Sequence, residues 1–440
     1  MGIRFYFETL GCKVNQFETQ ALESLLISRG HTKGVPGEGC DAVIVNTCAV
    51  TAESGRKSRQ AVRRLKKLEP DAVVAVCGCF SQVSPEEIEA LGADLVTGSG
   101  DRLQFADLLE SACREKAARG QSGAPVRRVL DDPMARRAFE PLPAGSAAGR
   151  TRAMLKIQDG CRNFCTYCII PYARGPVRSM PLEQVRQEAA RLNGEGYREI
   201  VITGIEISSY GLDIDDGTGL IDAVRAVSAA APDARLRLGS LEPRTITPDF
   251  VAALGELANF CDHFHLSLQS GCDETLRRMK RLYTTSDFYQ AVRLVRERFP
   301  LCGITADLIV GFPGETDAEF MKTMAFIRKC AFSAMHIFPY SRRPGTLAAD
   351  MPGQVLKSVK QERARQAAAA AREMGQAFAE TFIGRTLSVL FESEEDGVSA
   401  GHAANYLEVR AKGTGYRNTV QQVRIDDAKE RVLYGEILKP

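Results

Sequence analysis

Cys161, Cys165 and Cys168 stand in the run Ile157-Gln158-Asp159-Gly160-Cys161-Arg162-Asn163-Phe164-Cys165-Thr166-Tyr167-Cys168, directly after the apolar stretch Ala153–Ile157. This Cys-x3-Cys-x2-Cys spacing is a ligand set one short. A cubane iron–sulfur cluster takes four thiolates, one per iron, so three in one loop leave an iron open to a small molecule. A structural zinc needs a fourth protein ligand, and no cysteine or histidine near this loop supplies one. The chain must therefore fold so that a loop at a strand end presents three sulfurs to a ligand.

The sequence around the loop says how. From about 151 to 350, strand-like and helix-like segments alternate six times. The strands lie near Ala153–Ile157, Glu199–Thr203, Arg235–Gly239, His263–Leu268, Ile304–Val310 and Ala334–Phe338. Such alternation predicts a parallel sheet with helices on its outside. Six units are fewer than the eight of a complete barrel, so the expectation is a partial, laterally open (β/α)6 barrel that admits a bulky substrate.

Residues 1–116 predict a separate parallel α/β domain. Its strands are Ile3–Phe7, Ala42–Val45, Ala72–Val76 and Asp94–Thr97, and its helices cover Gln16–Ser28, Glu53–Leu68, Pro85–Leu91 and Arg102–Lys116. Gly, Pro, Ala and Arg dominate 117–150, which reads as a linker. The barrel domain then spans 151–380, ending in an Ala-, Gln-, Glu- and Arg-rich helix over 354–380. Short alternating strands in 381–440 (Thr386–Phe391, Tyr406–Ala411, Val420–Ile425 and Arg431–Ile437) predict a small β-barrel.

Three domains suit 440 residues. With 57 basic against 55 acidic residues, any nucleic-acid contact must come from local patches. Thirteen cysteines, an odd number, argue for metal and thiol chemistry in a reducing cytoplasm. The amino terminus carries no signal-peptide pattern, and no apolar run approaches the roughly 20 residues of a membrane span. A cytoplasmic enzyme without membrane contact is expected.

Ligands of parallel sheets gather beyond the carboxyl ends of the strands. Three further cysteines occupy such positions: Cys12 in Leu10-Gly11-Cys12-Lys13-Val14-Asn15-Gln16, Cys48 in Asn46-Thr47-Cys48-Ala49-Val50-Thr51, and Cys79 in Cys77-Gly78-Cys79. They should converge on one sheet edge and hold a second cluster with an exchangeable iron. In the barrel, Gly204, Glu206, Ser240, Glu242, Gln269 and Gly311 end the later strands. They offer close backbone approach and partners for amine, carboxylate or ribose groups. Cys40, Cys113, Cys261, Cys272, Cys302 and Cys330 lack ligand spacing and read as packing residues. The five histidines form no evident metal cluster, and His265 and His336 read as core or pocket-wall residues. For RNA, Arg56, Arg59, Arg63 and Lys67, with Lys57, Arg64 and Lys66 beside them, make a basic helix face, which is also the pattern of an ordinary solvated helix. Tyr406, Arg410, Lys412, Tyr416 and Arg417 mix aromatics with cations on the tail, which suits base stacking and equally suits barrel core with surface charge.

Taken together these segments resemble the radical S-adenosylmethionine (SAM) methylthiotransferases. The first domain is similar to their auxiliary-cluster domain, the centre to their radical SAM barrel, and the tail to their RNA-binding TRAM domain. Leu10–Gln16, Asn46–Thr51 and Cys165-Thr166-Tyr167-Cys168-Ile169-Ile170-Pro171-Tyr172-Ala173-Arg174-Gly175 look most like the subgroup acting on N6-threonylcarbamoyladenosine. That residue lies at position 37 of tRNA, 3′ of the anticodon, and becomes its 2-methylthio derivative. The resemblance implies two [4Fe-4S] clusters, with SAM on the open iron of the barrel cluster and sulfur handled at the other. It implies tRNA as partner and an electron donor such as flavodoxin or ferredoxin. It also assigns the SAM contacts to the six strand-end residues and makes Cys79, not Cys77, the ligand. Rival readings keep the chemistry but change the substrate to isopentenyladenosine or a ribosomal-protein aspartate; Tyr172-Ala173-Arg174-Gly175 favours the threonylcarbamoyl subgroup. A non-catalytic iron–sulfur RNA sensor would not need the strand-end contacts.

Overall fold

The computed structural model describes residues 2–119, 126–143 and 151–438. Within the predicted linker, 120–125 and 144–150 lie outside the described residues. Two compact units emerge: residues 1–148, 158–180 and 342–346 form the first, and 149–157, 181–341 and 347–440 the second.

The first unit contains, in order, β1 (Arg4–Thr9), α1 (Lys13–Ser28), β2 (Thr32–Lys33), β3 (Ala42–Thr47), α2 (Ala52–Leu68), β4 (Val73–Gly78), α3 (Cys79–Val83), α4 (Pro85–Glu89), β5 (Leu95–Thr97), α5 (Arg102–Arg119) and β6 (Arg127–Val129). The strands form one parallel sheet in the order β2-β1-β3-β4-β5-β6. Alternate residues serve its two faces, because strand side chains alternate with a period of two. Val43, Val45, Val74, Val76 and Val96 pack with Ala61, Val62 and Leu65 of α2. Ala42, Ile44, Val73, Ala75 and Leu95 pack with Leu22 and Leu26 of α1 and with Phe105 and Leu109 of α5. Helix α2 starts where Thr51 and Ser54 cap each other reciprocally. Strand β6 was not anticipated. It is short, basic and at the sheet edge, where a hydrophobic signal is least needed.

The second unit supplies the barrel strands. The described part of β7 (Arg152–Asp159) begins in it and ends in the first unit, followed there by α6 (Ile170–Arg174) and β8 (Arg178–Ser179). Next come α7 (Leu182–Gly194), β9 (Glu199–Gly204), α8 (Leu220–Ala230), β10 (Arg235–Leu238), β11 (Ser240–Leu241), α9 (Pro248–Leu254), β12 (His263–Gln269), α10 (Asp273–Arg278), α11 (Thr285–Arg298), β13 (Gly303–Val310), α12 (Asp317–Cys330), β14 (Ala334–Pro339) and α13 (Lys357–Glu380). All six expected strands are present, but the third is split. Gly239 donates its N–H to Ile202 at 2.8 Å; β10 then pairs with β9 and β11 with β12. The result is two four-stranded sheets, β10-β9-β7-β8 and β11-β12-β13-β14.

The tail is a closed barrel of five strands, not four: β15 (Thr386–Glu395), β16 (Val398–Ala403), β17 (Glu408–Lys412), β18 (Val420–Lys429) and β19 (Val432–Ile437), in the order β15-β16-β17-β19-β18. Small residues hide β16 from a hydrophobic pattern, since Val398-Ser399-Ala400-Gly401-His402-Ala403 carries one β-branched apolar residue. Asp396 and Gly397, at φ of 50° and 78°, form the two-residue hairpin turn that announces it.

Glu199 anchors this tail barrel to the parallel strands. Its buried carboxylate accepts from Arg237 Nε at 2.9 Å and Arg235 Nη2 at 2.7 Å, with Arg152 Nε at 3.5 Å. Arg237 also donates to the Ala404 carbonyl at 2.9 Å and Arg235 to that of His402 at 3.2 Å. The Tyr406 ring lies 4.6 Å from the Arg237 guanidinium and stacks on His402 at 5.0 Å. Of the two readings open for Tyr406, the structure shows its ring packed on Arg237 and His402 while still partly exposed, and Tyr416 packs on Phe391 at 6.0 Å. Alternating aromatics and cations describe a barrel seam as well as they describe an RNA surface. Among the described residues, no helix is long and apolar enough to cross a membrane.

Burial by itself raises the Glu199 carboxyl, but Arg237, Arg235 and Arg152 reverse this and hold it below the usual carboxylate range. Glu199→Gln leaves three guanidiniums short of their counter-charge and is expected to cost about 3–5 kcal/mol in denaturant unfolding at neutral pH. A depressed folded pKa gives stability that is complete above the unfolded value, about 4.3, and is lost as pH falls through the folded value. The gap between the proteins should thus stay constant down to that unfolded value and narrow below it.

Candidate metal centres and barrel strand ends

Cys12, Cys48 and Cys79 follow β1, β3 and β4, adjacent strands of one parallel sheet. Gly11 lies so close that a Cβ there would sit 2.8 Å from Cys48 Cβ and 3.1 Å from its sulfur. Each thiolate is within electrostatic reach of the next: Cys12 of Cys48, Cys48 of Cys79, and Cys79 of Cys12. The structure thus brings together the set expected from strand ends. Cys77 goes the other way, fully buried in the core formed with α1 and α5. Burial pushes its thiol up to about 11.

Sequence reasoning did not find the residue that links this set to the barrel loop. Arg174 ends α6, six positions after Cys168, and is fully buried. Its Nε donates to Cys79 Sγ at 3.2 Å. Its Nη1 and Nη2 grip the Glu18 carboxylate, Nη2 at 3.1 Å, and Nη2 also reaches Asn15 Oδ1 at 3.4 Å. Asn15 accepts in turn from Cys12 Sγ at 3.4 Å. Glu18 also takes Arg102 Nη2 at 2.8 Å. Burial opposes the charge on Arg174, but Cys79, Glu18 and Asp159 more than restore it. Burial pushes the Cys79 thiol up, and Arg174 is the largest counterweight. The signal was present: Arg174 and Asn15 both lie in segments singled out for their cysteines.

In the barrel loop, Gly160 turns the chain at φ 75°, and a side chain there would strike the Pro176 carbonyl at 1.8 Å. The Cys161 N–H donates to the Gly175 carbonyl at 3.0 Å and the Cys168 N–H to that of Cys165 at 2.9 Å. The Asn163 N–H points at Cys161 Sγ, 3.5 Å away. Burial raises the Cys12, Cys48 and Cys79 thiols, and Arg174 works against it toward the thiolate at all three, as the Asn163 amide does at Cys161. The two sets therefore fit iron–sulfur clusters in their donor chemistry.

The strand-end candidates of the second unit fall into distinct settings. Gly204 closes β9. Burial raises the Glu206 carboxyl, the nearby Glu242 charge adds to this, and Ser209 opposes it. Glu242 accepts from Arg281 Nη2 at 2.6 and 2.5 Å, and its N–H donates to Ser208 Oγ at 2.9 Å. Ser240 is exposed at the start of β11. Gln269 ends β12 at φ 61°, just after a register shift. Gly311 has a positive φ of 69° and would strike Lys360 if it carried a side chain, and its N–H donates to Glu315 at 2.8 Å. On α2, Arg56, Arg59 and Arg64 pair with Glu53, Glu87 and Glu8, and Lys66 donates to the Gly92 carbonyl. The basic face is thus partly spent on the protein itself. Of the cysteines without ligand spacing, Cys40, Cys261, Cys272, Cys302 and Cys330 are buried.

Arg174→Gln removes the positive charge 3.2 Å from Cys79. In protein lacking Cys161, Cys165 and Cys168, redox titration followed by electron paramagnetic resonance should find any cluster held by Cys12, Cys48 and Cys79 harder to reduce than with Arg174 present. Hydrogen bonds and charge at the sulfurs set such potentials.

Residues 155–327 match the family model described as the Radical SAM superfamily, and residues 4–98 match Uncharacterized protein family UPF0004. The chain is similar to threonylcarbamoyladenosine tRNA methylthiotransferase MtaB of Bacillus subtilis, 38% identical over 93% of this chain and 90% of that one. MtaB of Thermotoga maritima is 36% identical over 91% and 89%. A tRNA-2-methylthio-N(6)-dimethylallyladenosine synthase of Pelotomaculum thermopropionicum is 34% identical over 88% and 86%. Among solved structures, the radical S-adenosylmethionine methyltransferase TsrM from Kitasatospora setae aligns with a TM-score of 0.55 at 19% identity. That alignment covers 91% of this chain and 81% of that one, and shows likeness of fold. Whole-length similarity therefore agrees with the cysteine loops: this chain belongs to the radical SAM tRNA methylthiotransferase family and is an enzyme of that class.

Proposed function

We propose that this enzyme converts N6-threonylcarbamoyladenosine at position 37 of tRNA into its 2-methylthio derivative. The observation that carries this reading is near-whole-length identity of 33–38% to relatives named for that substrate. The convergence of Cys12, Cys48 and Cys79 beside Arg174 supports it. In this reading Cys161, Cys165 and Cys168 hold one four-iron cluster, and Cys12, Cys48 and Cys79 hold a second. When bound, the first cluster and SAM supply the radical that C2–H of adenine requires, a bond that acid–base groups alone do not activate.

The chain's own residues bind and orient. Glu206, Glu242, Ser240 and Gln269, with the backbone at Gly204 and Gly311, receive the polar groups of SAM; Arg281 fixes the Glu242 carboxylate in place. Arg174 compensates the negative charge gathered at Cys79. Residues 1–116 carry the auxiliary site, 117–150 link it onward, 151–380 form the radical SAM domain, and 381–440 act as a TRAM domain that grips RNA through exposed cations such as Arg410 and Lys412. Lys57, Arg63 and Lys67 of α2 add phosphate contacts. The reaction runs in the cytoplasm, with electrons from a small carrier of flavodoxin or ferredoxin type.

Nucleoside mass spectrometry of tRNA from cells with and without the enzyme tests the substrate. The 2-methylthio form of threonylcarbamoyladenosine should vanish on deletion; loss of the dimethylallyl derivative instead would assign the other substrate. Anaerobically reconstituted protein should hold about eight irons per chain, and about four would remove the second cluster.

A further inference from the structure

The sheet formed by β12, β13 and β14 carries a polar group that neither the cysteine sets nor the strand ends account for. In the parallel register His265 faces Thr305, and Asp307 faces His336. Phe264, Leu266, Ile304, Ala306 and Leu308, on the alternate positions, are fully buried, so the two histidines and Asp307 lie on the opposite face of the sheet. Asp307 spans them: Oδ2 is 3.2 Å from His265 Nε2, and Oδ1 is 3.2 Å from His336 Nδ1. The second nitrogen of His265 lies 2.9 Å from Thr305 Oγ1. Every polar atom of the group thus has a partner except one. His336 Nε2 has no hydrogen-bond partner among the described residues, on a side chain that is 65% exposed.

Burial raises the Asp307 carboxyl, but the two imidazoles outweigh it and keep the group ionised. Asp307 therefore holds both rings by charge-assisted contacts and turns the free edge of His336 outward. In the imidazolium form both ring nitrogens are donors, so with Nδ1 turned to Asp307 the His336 ring then has one directed N–H to spare at Nε2. Such a donor suits a carboxylate. Threonylcarbamoyladenosine has one, on its threonine, and dimethylallyladenosine has none.

We propose that His336, oriented by Asp307 and braced by His265, is the subsite for the carboxylate of the substrate's threonylcarbamoyl group. This assignment rests on the threonylcarbamoyl reading above and names a specificity determinant within it. A charge-assisted hydrogen bond contributes about 1.5–3 kcal/mol net, or about 10–100-fold in affinity.

The test uses the full reconstituted enzyme and an anticodon stem-loop RNA carrying either threonylcarbamoyladenosine or its methyl ester. Wild-type enzyme should show a KM about 10–100-fold lower for the acid than for the ester. His336→Leu should raise KM for the acid to the ester's level while hardly moving KM for the ester. If His336→Leu still separates acid from ester as wild type does, the subsite is wrong and the functional reading stands. If wild type modifies neither RNA, the functional reading falls and the subsite with it. Preference for the acid that appears only on adding zinc would make the three groups metal ligands and overturn the direct contact. Because the ester probes the same interaction in unmutated protein, the outcome does not depend on how the variant folds.

Discussion

The Arg174–Glu18 pair is the contact around which the candidate chemistry is arranged. A guanidinium taken fully out of water costs several kcal/mol unless its charge and its donors are matched. Here the matching comes from Glu18, Asn15, Asp159 and Cys79, and Arg102 shares Glu18 from the other side. The network fixes α6, and with it the loop that carries Cys161, Cys165 and Cys168, against the edge where β1, β3 and β4 end. Removing Glu18 would take from the buried Arg174 and Arg102 the carboxylate they share. The two cysteine sets therefore belong to one compact unit, which suits the proposed reaction, in which groups handled at the two sets must meet.

Parallel sheets explain why the chemistry gathers at strand ends. Each crossover returns the chain through a helix, so successive carboxyl ends lie side by side. Residues far apart in sequence, such as Cys12, Cys48 and Cys79, become neighbours without any local ligand motif. The same logic places Gly204, Glu206, Ser240, Glu242, Gln269 and Gly311 at related positions of the second unit. Strand sides carry specificity instead: His265, Asp307 and His336 meet across three adjacent strands because parallel register puts them on one face.

Much of this was legible beforehand, for reasons that particular residues show. The barrel loop declares itself by local spacing. The strands declare themselves by runs such as Ala42–Val45, buried on both sheet faces and so almost purely apolar. What escaped notice depends on distant partners. Nothing local says that Arg174 reaches Cys79, or that Tyr406 packs on Arg237 and His402. Strand β16 was missed because close packing favours small residues there, and β6 because an edge strand need not be hydrophobic. The split at Gly239 is a matter of two sheets sharing one strand, which alternation alone does not reveal.

The central claim is a division of labour: one cysteine set makes the radical, the other handles sulfur. The most direct measurement follows 5′-deoxyadenosine and the 2-methylthio nucleoside together, in one reaction, with Cys12, Cys48 and Cys79 all replaced by Ala. The account predicts that reduced protein still releases 5′-deoxyadenosine from SAM while no methylthio product forms. Formation of the 2-methylthio nucleoside by that variant would contradict it.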